Sequence, residues 1–233
     1  MKTDGFIVIL VIVIILAWNQ QAMAQQSDTA QNIWYQNEIK QLLHQDRSSP
    51  PPQHAIVFAG SSIFRLWAGL ARDMHPLRVV NRAFGGARTW EMLHYMDRLI
   101  LPLKPAIIVF YCGGNDIEYG ASASSVVQRF AQFCARAHEA LPKTRIFFVS
   151  LNRAPQKSAK WSVIDDINRR AAALCARDER TGFIDINPGF FTADGRCRSE
   201  LYISDGLHFM PEAYREMTRA IKPVLEKAWA DIG

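Results

Sequence analysis

The chain of 233 residues has only four cysteines, no run of basic residues and no apolar stretch long enough to cross a bilayer. Each shortage removes a class of function. Cys112, Cys134, Cys175 and Cys197 include no C-x-x-C pair, which disfavours a structural zinc site. The net charge is +5, yet the densest basic cluster is "NRR" at 168–170, inside an amphipathic pattern. A nucleic-acid surface needs a basic stripe interleaved with aromatics, and none is present. The longest apolar run, Phe6 to Trp18, has about 13 residues against the ~20 that a spanning helix needs. There are no internal repeats, and the only low-complexity feature is the proline triplet 50–52.

The short apolar run has another meaning. Lys2 precedes it and Ala22-Met23-Ala24 follows it, the pattern of a secretory signal with an Ala-x-Ala cleavage site. Residues 1–24 therefore read as a signal peptide, 25–54 as an N-terminal helix with a proline-rich lead-in, and 55–233 as the main domain. The expected location is periplasmic or secreted; an uncleaved N-terminal anchor is the alternative. Export would permit disulfides. Cys175–Cys197 is the favoured pair, and Cys112, at the end of an apolar run, suits a reduced thiol packed in the core.

Beyond the prolines, apolar segments alternate with amphipathic ones. "AIVFAG" (55–60), "LRVVNRAFGG" (77–86), "PAIIVFYCGG" (105–114), "TRIFFVSL" (144–151) and "GFIDI" (182–186) read as strands. Helical patterns follow at 89–100, 123–141, 160–178 and 210–229, the last with Pro211 in its first turn. Continuously apolar strands alternating with helices predict a parallel sheet covered on both faces. Ligands in such folds bind beyond the carboxyl ends of the strands. The loops there carry "GSS", "NRAFGG", "CGGND" and "SLNRAP", rich in small and amide residues.

A serine nucleophile needs a histidine base and an acceptor to orient it. Ser61 and Ser62 sit where a strand turns into a helix, a place where serine also serves as a cap. Of the six histidines, His208 and His94 have a carboxylate three residues upstream, Asp205 and Glu91. Glu91, His94 and Asp97 are expected on the charged outer face of a helix rather than at a metal. Asp205 and His208 lie in "SDGLHFMP", a turn ahead of the last helix, where the aspartate could also be a plain helix cap. Backbone N–H groups of the glycines in "AFGGAR", the Asn115 amide and the N–H of the nucleophile are candidate donors to an oxyanion.

Together these blocks resemble the SGNH (GDSL-type) hydrolases, from about residue 30 to 229. "AGSSI", "NRAFGG", "CGGND" and "DGLH" stand in the order of the family's four blocks. The resemblance implies Ser62 as nucleophile, Asp205 and His208 as acid and base, and Ser62, Gly86 and Asn115 as the oxyanion hole, with no cofactor. Ser61 stands where the family usually has Asp, a variation seen in a subgroup, and is left as turn or cap residue. The G-x-S-x-G elbow of the α/β-hydrolases is absent. The expected fold is thus a three-layer α/β/α flavodoxin-like sandwich on a mostly five-stranded parallel sheet.

The implied activity is that of an exported esterase acting on small-molecule or carbohydrate esters. A lysophospholipase, a thioesterase or a silent binding module on the same fold are the alternatives. No long apolar insertion is present to cover a lipid chain, which favours a short acyl group. No nucleic-acid partner and no stable membrane association after signal cleavage are expected. Trp67, Trp90 and Arg153 are candidates to border the site, or else to serve packing and solvation.

Overall fold

The structure, a computed structural model, describes residues 35–232. The expected signal peptide lies outside the described residues. The chain divides into two compact units, Met1–Gln45 and Asp46–Gly233. A helix, α1, covers 35–48. Among the described residues, no helix is long and apolar enough to cross a membrane.

The second unit is built on five strands: β1 (Ile56–Gly60), β2 (Val79–Asn81), β3 (Ile107–Tyr111), β4 (Arg145–Val149) and β5 (Thr181–Ile184). All pair in parallel, in the order β2-β1-β3-β4-β5. This is the flavodoxin-like order, which reverses direction between β1 and β3. Every residue of β1 and β3 is buried, as strands sandwiched between two helical layers must be.

Helices α2 (Ser62–Arg65) and α3 (Leu70–Asp73) follow β1, and α4 (Thr89–Leu99) follows β2. A short α5 (Gly114–Glu118) and a long α6 (Ala123–Ala140) follow β3, α7 (Trp161–Cys175) follows β4, and α8 (Pro211–Ala230) closes the chain. Helix α6 packs against α4 and α7 in one layer. On the other face α8 meets α2, where the Tyr214 ring lies 5.2 Å from that of Trp67 and its hydroxyl donates to the Ile63 carbonyl at 3.0 Å. Trp67 is therefore a core residue, and its Nε1 donates to Asp73.

Three expectations are corrected. The second strand is shorter than its apolar pattern, although Arg82 and Phe84 still donate to the Phe58 and Gly60 carbonyls beyond its end. All four cysteines are free thiols. Cys175 is buried at the end of α7, where burial pushes its thiol up to about 11, whereas Cys197 is held across from Phe191 in an isolated bridge. Glu91 is not on an outer face: it is fully buried, and its Oε2 accepts the Arg88 N–H at 2.8 Å. Burial raises its carboxyl above the ordinary value against those bonds from Arg88. His94 and Asp97 do face solvent, the latter paired with Arg136.

β1 and β3 come so close at their ends that a Cβ on Gly60 would stand 2.1 Å from the Tyr111 carbonyl oxygen. That neighbour is backbone in a central strand and cannot move aside. Gly60→Ala should destabilise the fold by about 3 kcal/mol, the upper range for overpacking, measured by urea unfolding.

Candidate active site

The site begins where β1 ends. Ser61 donates its N–H to the Tyr111 carbonyl at 3.1 Å, and its own carbonyl accepts from Phe64 and Arg65, both at 3.1 Å. Ser61 is thus the N-cap residue of α2, but its side chain makes no capping bond. Ser62 is the first helical residue, where an N–H has no intrahelical acceptor. A one-turn helix needs outside support. Asn81, at the end of β2, donates to the Phe64 carbonyl at 2.6 Å, and Tyr214 from α8 holds Ile63.

His208 arrives from a different direction. The segment around it is closed by an antiparallel bridge between Tyr202 and Phe209 and by Met210 N–H donating to the Leu201 carbonyl. Inside this loop Gly206 takes φ 66°, a left-handed turn that suits glycine, and its carbonyl accepts the Gln156 N–H at 3.0 Å. Asp205 Oδ1 accepts the N–H groups of Leu207 and His208 at 2.8 and 2.9 Å. Its Oδ2 stands 2.6 Å from His208 Nδ1, and His208 Nε2 stands 3.0 Å from Ser62 Oγ. Partial burial works to raise the Asp205 carboxyl, but the bonds from the imidazole and the two N–H groups outweigh it, so the net shift is downward.

Asn115 lies in α5, and its Nδ2 donates to the Ala87 carbonyl at 3.0 Å, which leaves its second N–H for another acceptor. Gly86 precedes that carbonyl with φ 69°. The segment is tied at one end by Phe84 N–H to the Gly60 carbonyl, and at the other by Asn115 and the Cys112 thiol on Ala87. Sequence reasoning passed over what braces it. Asp116, 1 % exposed, accepts from the Thr89 N–H at 3.0 Å, the Thr89 hydroxyl at 2.5 Å and Arg129 at 3.1 Å. It joins the start of α4 to α5 and so holds Gly86 and Asn115 in register. Nothing in "GGND" distinguishes a bracing carboxylate from a solvated one.

A small cavity of about 30 Å³ adjoins Ser62, with Asn115, Leu151, Asn152, Lys157 and Leu207 among its walls. Trp90 and Arg153 do not line it: Arg88 lies over the Trp90 ring, and Arg153 lies 4.2 Å from the Phe191 ring centroid. Among the described residues, no group of three metal-ligating side chains converges.

A hydroxyl, an imidazole and a carboxylate in line at the carboxyl edge of a parallel sheet is the arrangement of a hydrolase, and similarity to known proteins agrees. The family model described as GDSL-like lipase/acylhydrolase matches residues 48–216. The chain belongs to this family. Its members include the SGNH hydrolases whose blocks the sequence resembles, and the protein is accordingly an ester-cleaving acylhydrolase. Over 176 residues it is 26% identical to human platelet-activating factor acetylhydrolase IB subunit alpha1, covering 73% of this chain and 74% of that one. The crystal structure of a GDSL-like lipase from Bacteroides thetaiotaomicron superposes with TM-score 0.68 at 20% identity, over 82% of this chain and 98% of that one. An acetyl-xylooligosaccharide esterase from Geobacillus superposes with TM-score 0.62 at 14% identity, over 76% and 95%. These two likenesses establish the GDSL-like fold.

Because Asp116 accepts only donors, an amide there would face an N–H with an N–H. Asp116→Asn should cost roughly 3 kcal/mol in chemical denaturation, the lower end for breaking a buried ion pair because Arg129 is part-exposed.

Proposed function

We propose that the protein is an exported serine esterase that removes short acyl groups through an acyl-enzyme. The observation that carries this is the contact between Ser62 Oγ and His208 Nε2 at 3.0 Å, made across 146 positions of chain. His208 takes the hydroxyl proton as Ser62 attacks the ester carbonyl. Asp205, kept ionised by its hydrogen bonds, holds the ring with Nδ1–H toward itself and stabilises the imidazolium. The backbone N–H groups of Ser62 and Gly86 and the free N–H of Asn115 receive the oxyanion. His208 then protonates the departing alkoxide, and water, deprotonated by the same ring, releases the acid.

The size of the cavity supports a short acyl group. The cavity beside Ser62 is small, about 30 Å³, which favours a short acyl group over a long chain. The described acetyl-removing relatives point the same way. Carbohydrate or other small-molecule acetyl esters are therefore the proposed substrates. Export rests on the pattern of residues 1–24.

Ser62→Ala should abolish hydrolysis of p-nitrophenyl acetate and labelling by a fluorophosphonate probe, whereas Ser61→Ala should keep most of both. Equal loss from the two variants would refute the assignment, and a wild-type protein that is never labelled would make this a binding module. Asn115→Ala should lower kcat by about 10²–10³, the effect of one oxyanion donor; a change in KM alone would assign Asn115 to substrate binding instead.

A further inference from the structure

The cavity beside Ser62 holds hydrogen-bond donors that the proposed chemistry does not use. Asn152 is 4 % exposed and lines it. Its Oδ1 accepts the Tyr202 hydroxyl at 2.6 Å, and its backbone N–H donates to the Tyr111 hydroxyl oxygen at 3.4 Å. Its Nδ2 is buried and has no acceptor among the described residues. Buried amide N–H groups are seldom left unmet, and one that is signals a missing partner. Lys157, 6 % exposed, lines the same cavity and donates to the Gly114 carbonyl at 3.1 Å and to Glu118 at 2.6 Å. These two bonds use two of the three N–H groups of its ammonium.

The surroundings narrow the chemistry of the missing acceptor. Glu118 is held ionised by hydrogen bonds from Lys157 first and Lys160 second, so the buried ammonium already faces a carboxylate. The remaining walls include Ile63, Leu151, Ala154 and Ile164. Donor capacity among apolar groups, with the charge already matched, suits an uncharged oxygen. His208 is not among the lining residues while Asn115 is, which places the cavity on the acyl side of the ester and leaves the alcohol to the partly exposed side of the imidazole.

We infer that this pocket takes a short acyl group bearing an uncharged acceptor oxygen, such as hydroxyacetyl, in preference to a hydrocarbon acyl group of the same size, and that Asn152 sets that preference. The inference rests on the reading of Ser62 as nucleophile.

The test compares p-nitrophenyl hydroxyacetate with p-nitrophenyl propanoate, which differ by a hydroxyl against a methyl. Each kcat/KM is divided by the ester's hydroxide-catalysed rate to remove intrinsic reactivity. The wild type should prefer hydroxyacetyl by about tenfold, the discrimination expected of one buried hydrogen bond, and Asn152→Leu should bring the ratio to about one. A ratio near one in the wild type, an unchanged ratio in a folded Asn152→Leu protein, or a preference for p-nitrophenyl hydrogen malonate overturns the inference. Calorimetric titration of the wild type with hydroxyacetate and propanoate needs neither turnover nor a variant. Tighter binding of hydroxyacetate supports the pocket assignment even if no ester is cleaved, and equal binding overturns it even if Ser62 proves to be the nucleophile.

Discussion

Where β1 and β3 finish, their backbones approach so closely that only a hydrogen fits on the Cα of Gly60. The parallel ladder runs out to Gly60 and Tyr111, and the Tyr111 carbonyl takes one more hydrogen bond, from Ser61. That bond turns the chain out of the sheet, and α2 starts one residue later with Ser62. The same strand end presents the Tyr111 ring, whose hydroxyl, pushed up to about 12 by burial, meets the Asn152 backbone. One steric constraint thereby sets the position of Ser62, the proposed nucleophile, and one wall of the cavity beside it.

The rest of the site is held by residues that do not line the cavity beside Ser62. Asp116 joins the start of α4 to α5, Asn81 and Tyr214 support the single turn of α2, and the Gln156 backbone N–H pins the turn that carries Asp205 and His208. Behind that turn Phe190, Tyr202, Phe209 and Tyr214 form a chain of aromatic contacts. Burial of each such ring contributes roughly 1.5–3 kcal/mol, enough to hold a loop that its own backbone bonds would leave loose. In the proposed mechanism, donors fixed in this way need not reorganise when charge develops on the oxyanion.

Much of this is legible in the sequence. The five apolar segments are the five strands, because strands buried on both faces cannot alternate polar and apolar residues. Helices α4, α6, α7 and α8 fall where their periodicity places them. Helices α3 and α5 were invisible, since four or five residues carry no period. Glu91 was misread for a related reason: helical spacing places it with His94 and Asp97, but a carboxylate that receives the backbone N–H of its own helix start turns inward. Asp116 and Asn152 could not be found at all, because each owes its role to partners more than ten residues away.

By itself the sequence determined the order of elements, the family and the residue types available for acyl transfer, since these depend on local pattern and on short blocks in a set order. Tertiary structure alone decided that Ser62 Oγ comes within 3.0 Å of His208 Nε2, that all four thiols stay unpaired, and that a buried amide lines the cavity beside Ser62 without an acceptor among the described residues. Those outcomes depend on distances between residues far apart in the chain, and only the packing of helices on both faces of the sheet sets them.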